Sequence, residues 1–428
     1  MISSNESARE KILFADFLVD IFKYLKLKDL YITKSCSKIF QNIIDEEESL
    51  IFEKINFSYQ VEIYNPLSKN FFLLWFMKIL KRNNVRSLNL LFCYNHNLSK
   101  EIINTVNKSS LEKLKVHLKI FKSGNEITHL RKLKSLSVKN MFYDLSDFQN
   151  DLMAITNIIK MPWIDQIKLN NFKNSNCSFM ELIKNKLSKI DFKESAYFKI
   201  QEMTEGITNI SKCLRILRID GEYSNEKVMI QTLNKLNNLT ELYIGYCQNF
   251  SDYFITEITK INFKLTKLSL RKLRVSTAVI ENFFEFGDFS QIVKIDFYDC
   301  PTLNNNCVNL IADRALNLEH LEISWSSRVR DDSIQNLFRK CLKLRYLYLQ
   351  GCKYLTDNIF NQFLFDTNER KYEDFTVKEL SSSTQLRLVD LSKCDLIQDK
   401  TLYRMIEKFS CLSLINYYGL DLKDEMMV

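Results

Sequence analysis

Fourteen residues from Leu344 to Asp357, LRYLYLQGCKYLTD, restrict the folding of this chain more than any other stretch. Apolar side chains fall at Leu344, Leu347, Leu349 and Cys352, and Asp357 comes 13 residues after the first of them. The same frame recurs with its first apolar residue at Leu214, Leu239, Leu265, Ile292, Leu318, Leu344, Leu386 and Leu412. The steps are 25, 26, 27, 26, 26, 42 and 26 residues. Six of them cluster on 26 and one is longer by 16, so the chain is built from copies of one unit.

Within a unit, Leu347 and Leu349 alternate with Tyr346, Tyr348 and Gln350, the period-2 pattern of a short strand with one buried face. Cys352 follows as a small group able to bond backbone where the chain leaves the strand. Asp357 reads as a helix N-cap, as do Asp252, Asn305, Asp331 and Asp399 at the same offset. Apolar residues at helical spacing follow each, as in Ile334, Leu337 and Phe338. One such unit cannot bury its own apolar face, so units must stack. The period is of the leucine-rich-repeat kind. It predicts an α/β solenoid, a horseshoe with parallel strands on the concave face and helices outside.

A solenoid of 428 residues escapes the size limit of a single core, because each repeat touches only its neighbours. Apolar residues make up 46% and charged residues 26%, which excludes a disordered chain. The net charge of +8 is a modest excess for this length. It permits acidic partners and does not by itself point to nucleic acid. Five of the eleven cysteines (Cys93, Cys247, Cys300, Cys352 and Cys394) share the repeat position, which serves packing rather than a disulfide ladder. With no CxxC pair and no secretory signal, the reading is a reducing compartment, cytoplasmic and/or nuclear. The longest apolar run, Phe71 to Leu80, is too short to span a bilayer and reads as a buried helix.

The first ten residues are polar and read as a flexible terminus. Residues 11–57 then form a separate small helical domain. Leu18, Ile21, Phe22 and Leu25 make one apolar helix stripe, and a second helix carries Leu30, Ile32, Cys36, Ile39, Phe40 and Ile43. This stretch resembles an F-box. The family pattern opens Leu-Pro, then an acidic residue, Leu-Leu, Ile-Phe and Tyr-Leu, followed by Asp-Leu, a Cys-containing stretch and a closing Leu-Trp. The matching residues are Leu13, Asp16, Phe17 with Leu18, Ile21 with Phe22, Tyr24 with Leu25, Asp29 with Leu30, Cys36, Phe40, Leu50 and Phe52. Phe14 stands where the pattern has Pro, and Phe40 where it has Trp. The resemblance covers about a tenth of the chain and gains weight from lying directly before repeats. The repeats in turn resemble the cysteine-containing subclass found in F-box proteins.

Residues 58–428 are assigned to the solenoid. A first strand is expected around Phe52, Ile55 and Phe57, a next one from Val85, and weaker anchors at Leu111, Leu133, Ile164 and Leu187. The irregular spacing of those anchors leaves the repeat count in the early half open. The polar residues 366–383, within the one long step, are expected to leave the solenoid as an insertion loop.

Catalytic and metal-binding patterns are missing. The four histidines lie outside any HExxH, no Gly-rich phosphate loop or GxSxG is present, and the cysteines lack the short pairs of zinc sites. His320 reads as an ordinary polar residue of the concave face. The expectation is a non-enzyme with no cofactor. The outward strand positions carry Lys113, Lys115, His117, Lys139, Lys168, Lys189 and Lys193 in the early repeats. The later repeats carry Tyr243, Tyr298, Tyr346 and Tyr348, with Trp325 adjacent. Exposed Tyr and Trp in neighbouring repeats make a contiguous binding patch, so these five are the candidate target-binding residues.

The F-box resemblance implies a substrate-recognition subunit of a Skp–cullin–F-box ubiquitin ligase. On that reading Leu13, Leu18, Ile21, Leu25 and Leu30 dock on the Skp adaptor, and through it on cullin. The repeats hold an unidentified target protein for ubiquitination and proteasomal degradation. The alternative is a leucine-rich-repeat scaffold with no ligase role. Membrane is excluded as a partner, and nucleic acid is disfavoured because aromatics do not interleave with the early lysines.

Overall fold

A computed structural model describes residues 30, 33–34, 38–46, 54–59, 76–81, 85–93, 96–106, 110–121, 124–139, 154–158, 160–170, 187–193, 206–221, 224–261, 264–364, 385–409 and 412–415. Four of the five expected adaptor contacts (Leu13, Leu18, Ile21 and Leu25) and the insertion at 366–383 lie outside these residues. The chain divides into two compact units, Met1–Ile190 and Asp191–Val428.

The first unit contains helices α1 (Lys38–Glu46) and α2 (His96–Thr105). Its strands are β1 (Lys54–Tyr59), β2 (Ser87–Cys93), β3 (Lys113–His117), β4 (Ser135–Lys139), β5 (Gln166–Asn170) and β6 (Lys189–Asp191). They lie in chain order, and β1 to β5 pair parallel, each with the next. Each weak anchor is buried and precedes its strand by two residues: Leu111 before β3, Leu133 before β4, Ile164 before β5 and Leu187 before β6. The irregular steps therefore lengthen or shorten the return path and leave the strand register intact. One outward assignment fails. His117 is buried at 2% exposure, with its ring nitrogen on the Leu91 carbonyl. It lies at the end of β3, where the buried run Val116–Leu118 draws the backbone inward.

The second unit holds β7 (Ile216–Asp220), β8 (Glu241–Gly245), β9 (Lys267–Leu270), β10 (Lys294–Asp296), β11 (His320–Glu322), β12 (Tyr346–Tyr348), β13 (Leu388–Asp390) and β14 (Ser413–Ile415). Its helices are α3 (Glu226–Leu233), α4 (Asp252–Thr259), α5 (Thr277–Phe286), α6 (Asn305–Arg314), α7 (Asp331–Lys340), α8 (Asn361–Leu364) and α9 (Asp399–Lys408). All strand pairs are parallel and in chain order. Leu242, Leu268, Ile295, Leu321, Leu347 and Val389 occupy one register column, each at most 2% exposed. Each such side chain contributes roughly 1.5–3 kcal/mol by leaving water. This is the leucine-rich-repeat solenoid that the period predicts.

The strand-exit cysteines bond backbone. Cys300, Cys352 and Cys394 direct Sγ at carbonyls one repeat earlier, on Leu270 (3.5 Å), Ile323 (3.5 Å) and Leu349 (3.2 Å). Burial pushes the Cys300 and Cys394 thiols up to about 12, so both are inert thiols. Just before each cysteine position the backbone turns left-handed, at Tyr246, Lys272, Asp299, Trp325, Gly351 and Lys393, with φ between 53° and 69°. The N–H groups of Lys272, Asp299, Trp325 and Gly351 each donate to the next repeat at 2.7–2.9 Å. An otherwise unfavourable conformation is thereby repeated through the stack.

The expected caps shift by one residue. Ser251, Asn304, Arg330, Thr356 and Gln398 are the N-caps, and Asp252, Asn305, Asp331, Asp357 and Asp399 are the first residues of their helical segments. Four of those side chains bond forward. Asp252 accepts from the Ser276 N–H (2.7 Å), Asn305 from Arg330 (2.7 Å), Asp331 from Thr356 (2.8 Å) and Asp357 from Gln398 (2.8 Å). Each donor is the N-cap N–H of the following repeat, which its own helix cannot satisfy.

Candidate target-binding face

The strand residues that point away from the core form three columns. The first runs Glu241, Lys267, Lys294, His320, Tyr346 and Leu388. The second runs Arg218, Tyr243, Ser269, Asp296, Glu322, Tyr348 and Asp390. The third lies at the strand ends and includes Arg271, Tyr298, Ser324 and Gln350.

The five aromatic candidates are all half-buried and fall into three places. Tyr243 and Tyr298 hold Arg271 between them, its guanidinium 5.6 and 5.4 Å from their ring centroids. The Lys193 ammonium also lies over the Tyr243 ring, 4.0 Å from its centroid. Tyr346 and Tyr348 flank His320, at 5.8 and 5.1 Å between centroids. Trp325 sits in the exit turn, where its ring fills the space a Gly351 side chain would need. The rings are thus two clusters and an outlier, with a charged strip between, rather than one continuous aromatic patch.

That strip is what the aromatic reading overlooked. Arg218 pairs with Asp191 (3.3 Å) and Glu241 (2.8 Å), and Lys267 pairs with Glu241 at 2.6 Å. Arg271 grips Asp296 through Nε and Nη2, at 2.7–3.0 Å. Such fork geometry fixes the guanidinium in place. Beyond Asp296 the compensation stops: among the described residues neither Glu322 nor Asp390 has an ion pair. Glu322 accepts from Ser324, its N–H at 2.9 Å and its side chain, and Asp390 accepts the N–H (2.9 Å) and hydroxyl of Ser392.

Burial raises the Glu322 carboxyl to about 7, and the nearby Asp296 charge adds to it. Burial also lowers His320 to about 4, reinforced by Lys294. His320 is accordingly a neutral packing ring at ordinary pH rather than a plain polar surface group. Lys294 itself is lowered by burial. These charged residues share the offsets of the tyrosines within the repeat. Aligning all copies of the frame would have exposed them; looking for aromatics alone did not.

Of the five adaptor candidates only Leu30 is described, and its side chain is 3% exposed, packed within the chain. Among the described residues there is no group of side chains fit to hold a metal, and no helix is long and apolar enough to cross a membrane.

No protein-family model matches the chain. Among solved structures it is similar to a chain in the crystal structure of the yeast Rad7 and Elc1 complex, with a TM-score of 0.50 and 15% identity. The match covers 94% of this chain and 99% of that one. At this identity the likeness is one of fold.

Proposed function

We propose that this protein is a non-catalytic receptor subunit of a Skp–cullin–F-box ubiquitin ligase. Its repeats would capture a target protein and its N-terminal helices would bind the adaptor. The observation that carries the reading is the order of the chain: residues resembling an F-box, Leu13 to Phe52, run directly into stacked leucine-rich repeats. The likeness in fold to a chain crystallised in complex with a second protein, Elc1, agrees with an adaptor-bound role. The work of such a receptor is proximity. Holding the target beside a ubiquitin donor raises the effective concentration of its lysines. Capture is assigned to the face around Tyr243, Tyr298, Trp325, Tyr346 and Tyr348, which offers desolvated rings beside fixed charges.

The test is co-purification of the full chain with a Skp adaptor, repeated with Leu13, Leu18, Ile21 and Leu25 changed to Asp. Adaptor binding by the parent and its loss in the variant are expected, with the circular dichroism of the repeats unchanged. A folded parent that ignores the adaptor overturns the assignment. One observation favours the scaffold alternative: Leu30 is buried in the chain itself, as it would be if the apolar N-terminal residues served only internal packing. A scaffold predicts partners whose lifetime is indifferent to proteasome inhibition.

A further inference from the structure

The positive charge of the chain is unevenly placed. Residues 1–190 hold 29 Lys and Arg against 19 Asp and Glu, whereas residues 191–428 hold 31 against 33. The first unit therefore carries the whole excess, and its strand face concentrates it. The outward positions are Lys113 and Lys115 on β3, Ser135, Ser137 and Lys139 on β4, Gln166 and Lys168 on β5, and Lys189 on β6. Lys113 and Lys115 are exposed and the other three lysines are half-buried. Strands β2 to β5 contain no Asp or Glu at any position.

Neighbouring charges do not cancel these five. The residues that lead into the strands include Arg86, Glu112, Lys134 and Asp165, two cations and two acids, with Glu112 paired to Lys134 at 3.6 Å. Asp191, at the end of β6, is buried and paired with Arg218 at 3.3 Å. Over every residue from 85 to 190, on the strands and between them, cations number 17 and acids 8. Among the described residues Lys113, Lys115, Lys139 and Lys168 have no ion pair. The register also keeps lysines from standing directly opposite one another. Ser137 lies between Lys115 and Lys168, and Ser135 lies between Lys113 and Gln166. With strands about 4.8 Å apart, the backbones of Lys115 and Lys168 are roughly 10 Å apart, which leaves room for a carboxylate between their ammonium groups.

We propose that the strand face of β3 to β6 is a docking surface for an acidic polypeptide segment, held by Lys113, Lys115, Lys139, Lys168 and Lys189. An acid-free row of ammonium groups selects an anion. The neutral residues between the lysines select the kind of anion. Ser135, Ser137 and Gln166 accept hydrogen bonds as well as donate them, which matches the N–H and C=O groups of a peptide main chain. A phosphate backbone offers acceptors alone. Strands β3 to β5 also contain no Phe, Tyr or Trp on which a base could stack. This surface belongs to the first unit, whereas all five aromatic candidates belong to the second. The inference does not rest on a ligase role.

Fluorescence anisotropy of the full chain with a labelled Glu/Asp peptide of about 15 residues tests it at low ionic strength. Saturable binding that weakens with salt is expected. The variant K115E/K139E/K168E should lose about tenfold in affinity or more. The variant K81E/K132E/K160E makes the same change in net charge at exposed positions of the same unit that lie off the strands, and it should bind nearly as the parent does. Absence of binding by the parent, or equal losses in the two variants, overturns the proposal. So does an oligonucleotide of equal length, single-stranded or duplex, that binds more tightly than the peptide and is released by K115E/K139E/K168E. Should the triple reversal unfold the chain, K115Q/K139Q/K168Q provides the same comparison against K81Q/K132Q/K160Q.

Discussion

Glu322 and His320 lie two residues apart on β11, and burial favours the neutral form of each, so their pKa values move in opposite directions. The Glu322 carboxyl is raised from 4.5 to about 7, so its favourable share of stability is present below pH 4.5 and is lost as pH rises through 7. Glu322→Gln should therefore match the parent near pH 4 and exceed it at pH 8. The gain is about 1–2 kcal/mol once partial solvent exposure is discounted. Thermal melts at the two pH values measure it, and an equal shift at both would contradict the burial argument. His320, lowered from 6.5 to about 4, has the reverse sign: its share is present above pH 6.5 and lost as pH falls through 4. Gly351 offers a second residue-scale test. Its φ is +69°, and an added Cβ would stand 2.6 Å from Trp325 Cε3. Gly351→Ala should cost about 2 kcal/mol, from strain and clash together. Most of the clash component should disappear in a Trp325→Ala background, as a double-mutant cycle in denaturant would show.

At the scale of the element, the first residue of a helical segment serves the following repeat at Asp252, Asn305, Asp331 and Asp357. Asp331 takes both the N–H (2.8 Å) and the hydroxyl (2.6 Å) of Thr356, tying α7 to the next repeat. Asp331→Ala should cost about 2 kcal/mol by orphaning those donors. Asp332→Ala, one residue on and exposed, should change stability by about 0.5 kcal/mol or less. Chemical denaturation of the two variants side by side decides the point. If Asp332 mattered as much, the effect would be the helix dipole and not the bond between repeats.

At the scale of the molecule, a stack stabilised by contacts between neighbouring repeats should respond locally to damage. Leu321 is fully buried at the centre of the column that runs through β8 to β13. Leu321→Ala should cost about 2–5 kcal/mol. Amide exchange should quicken first in β10 to β12, with β7 less affected. Uniform loss of protection throughout the second unit would mean that it unfolds as a single cooperative body. For target capture, Ala at Tyr298, Trp325, Tyr346 and Tyr348 together should abolish binding while leaving exchange in the buried column unchanged.

The 26-residue period was enough to determine strand direction, register and the buried column, because a repeat that cannot hide its leucines alone has one way to stack. It located the strand anchors even in the irregular first half, where Leu111 and Ile164 still precede their strands by two residues. The helix starts were legible to within one residue. Tertiary structure alone decided which donor each helix-start side chain finds, since the donating N–H belongs to the following repeat. It also decided that Arg271 separates two tyrosines and that, among the described residues, Glu322 has no ion pair. Both depend on which side chains three strands bring side by side, and on how much water remains between them.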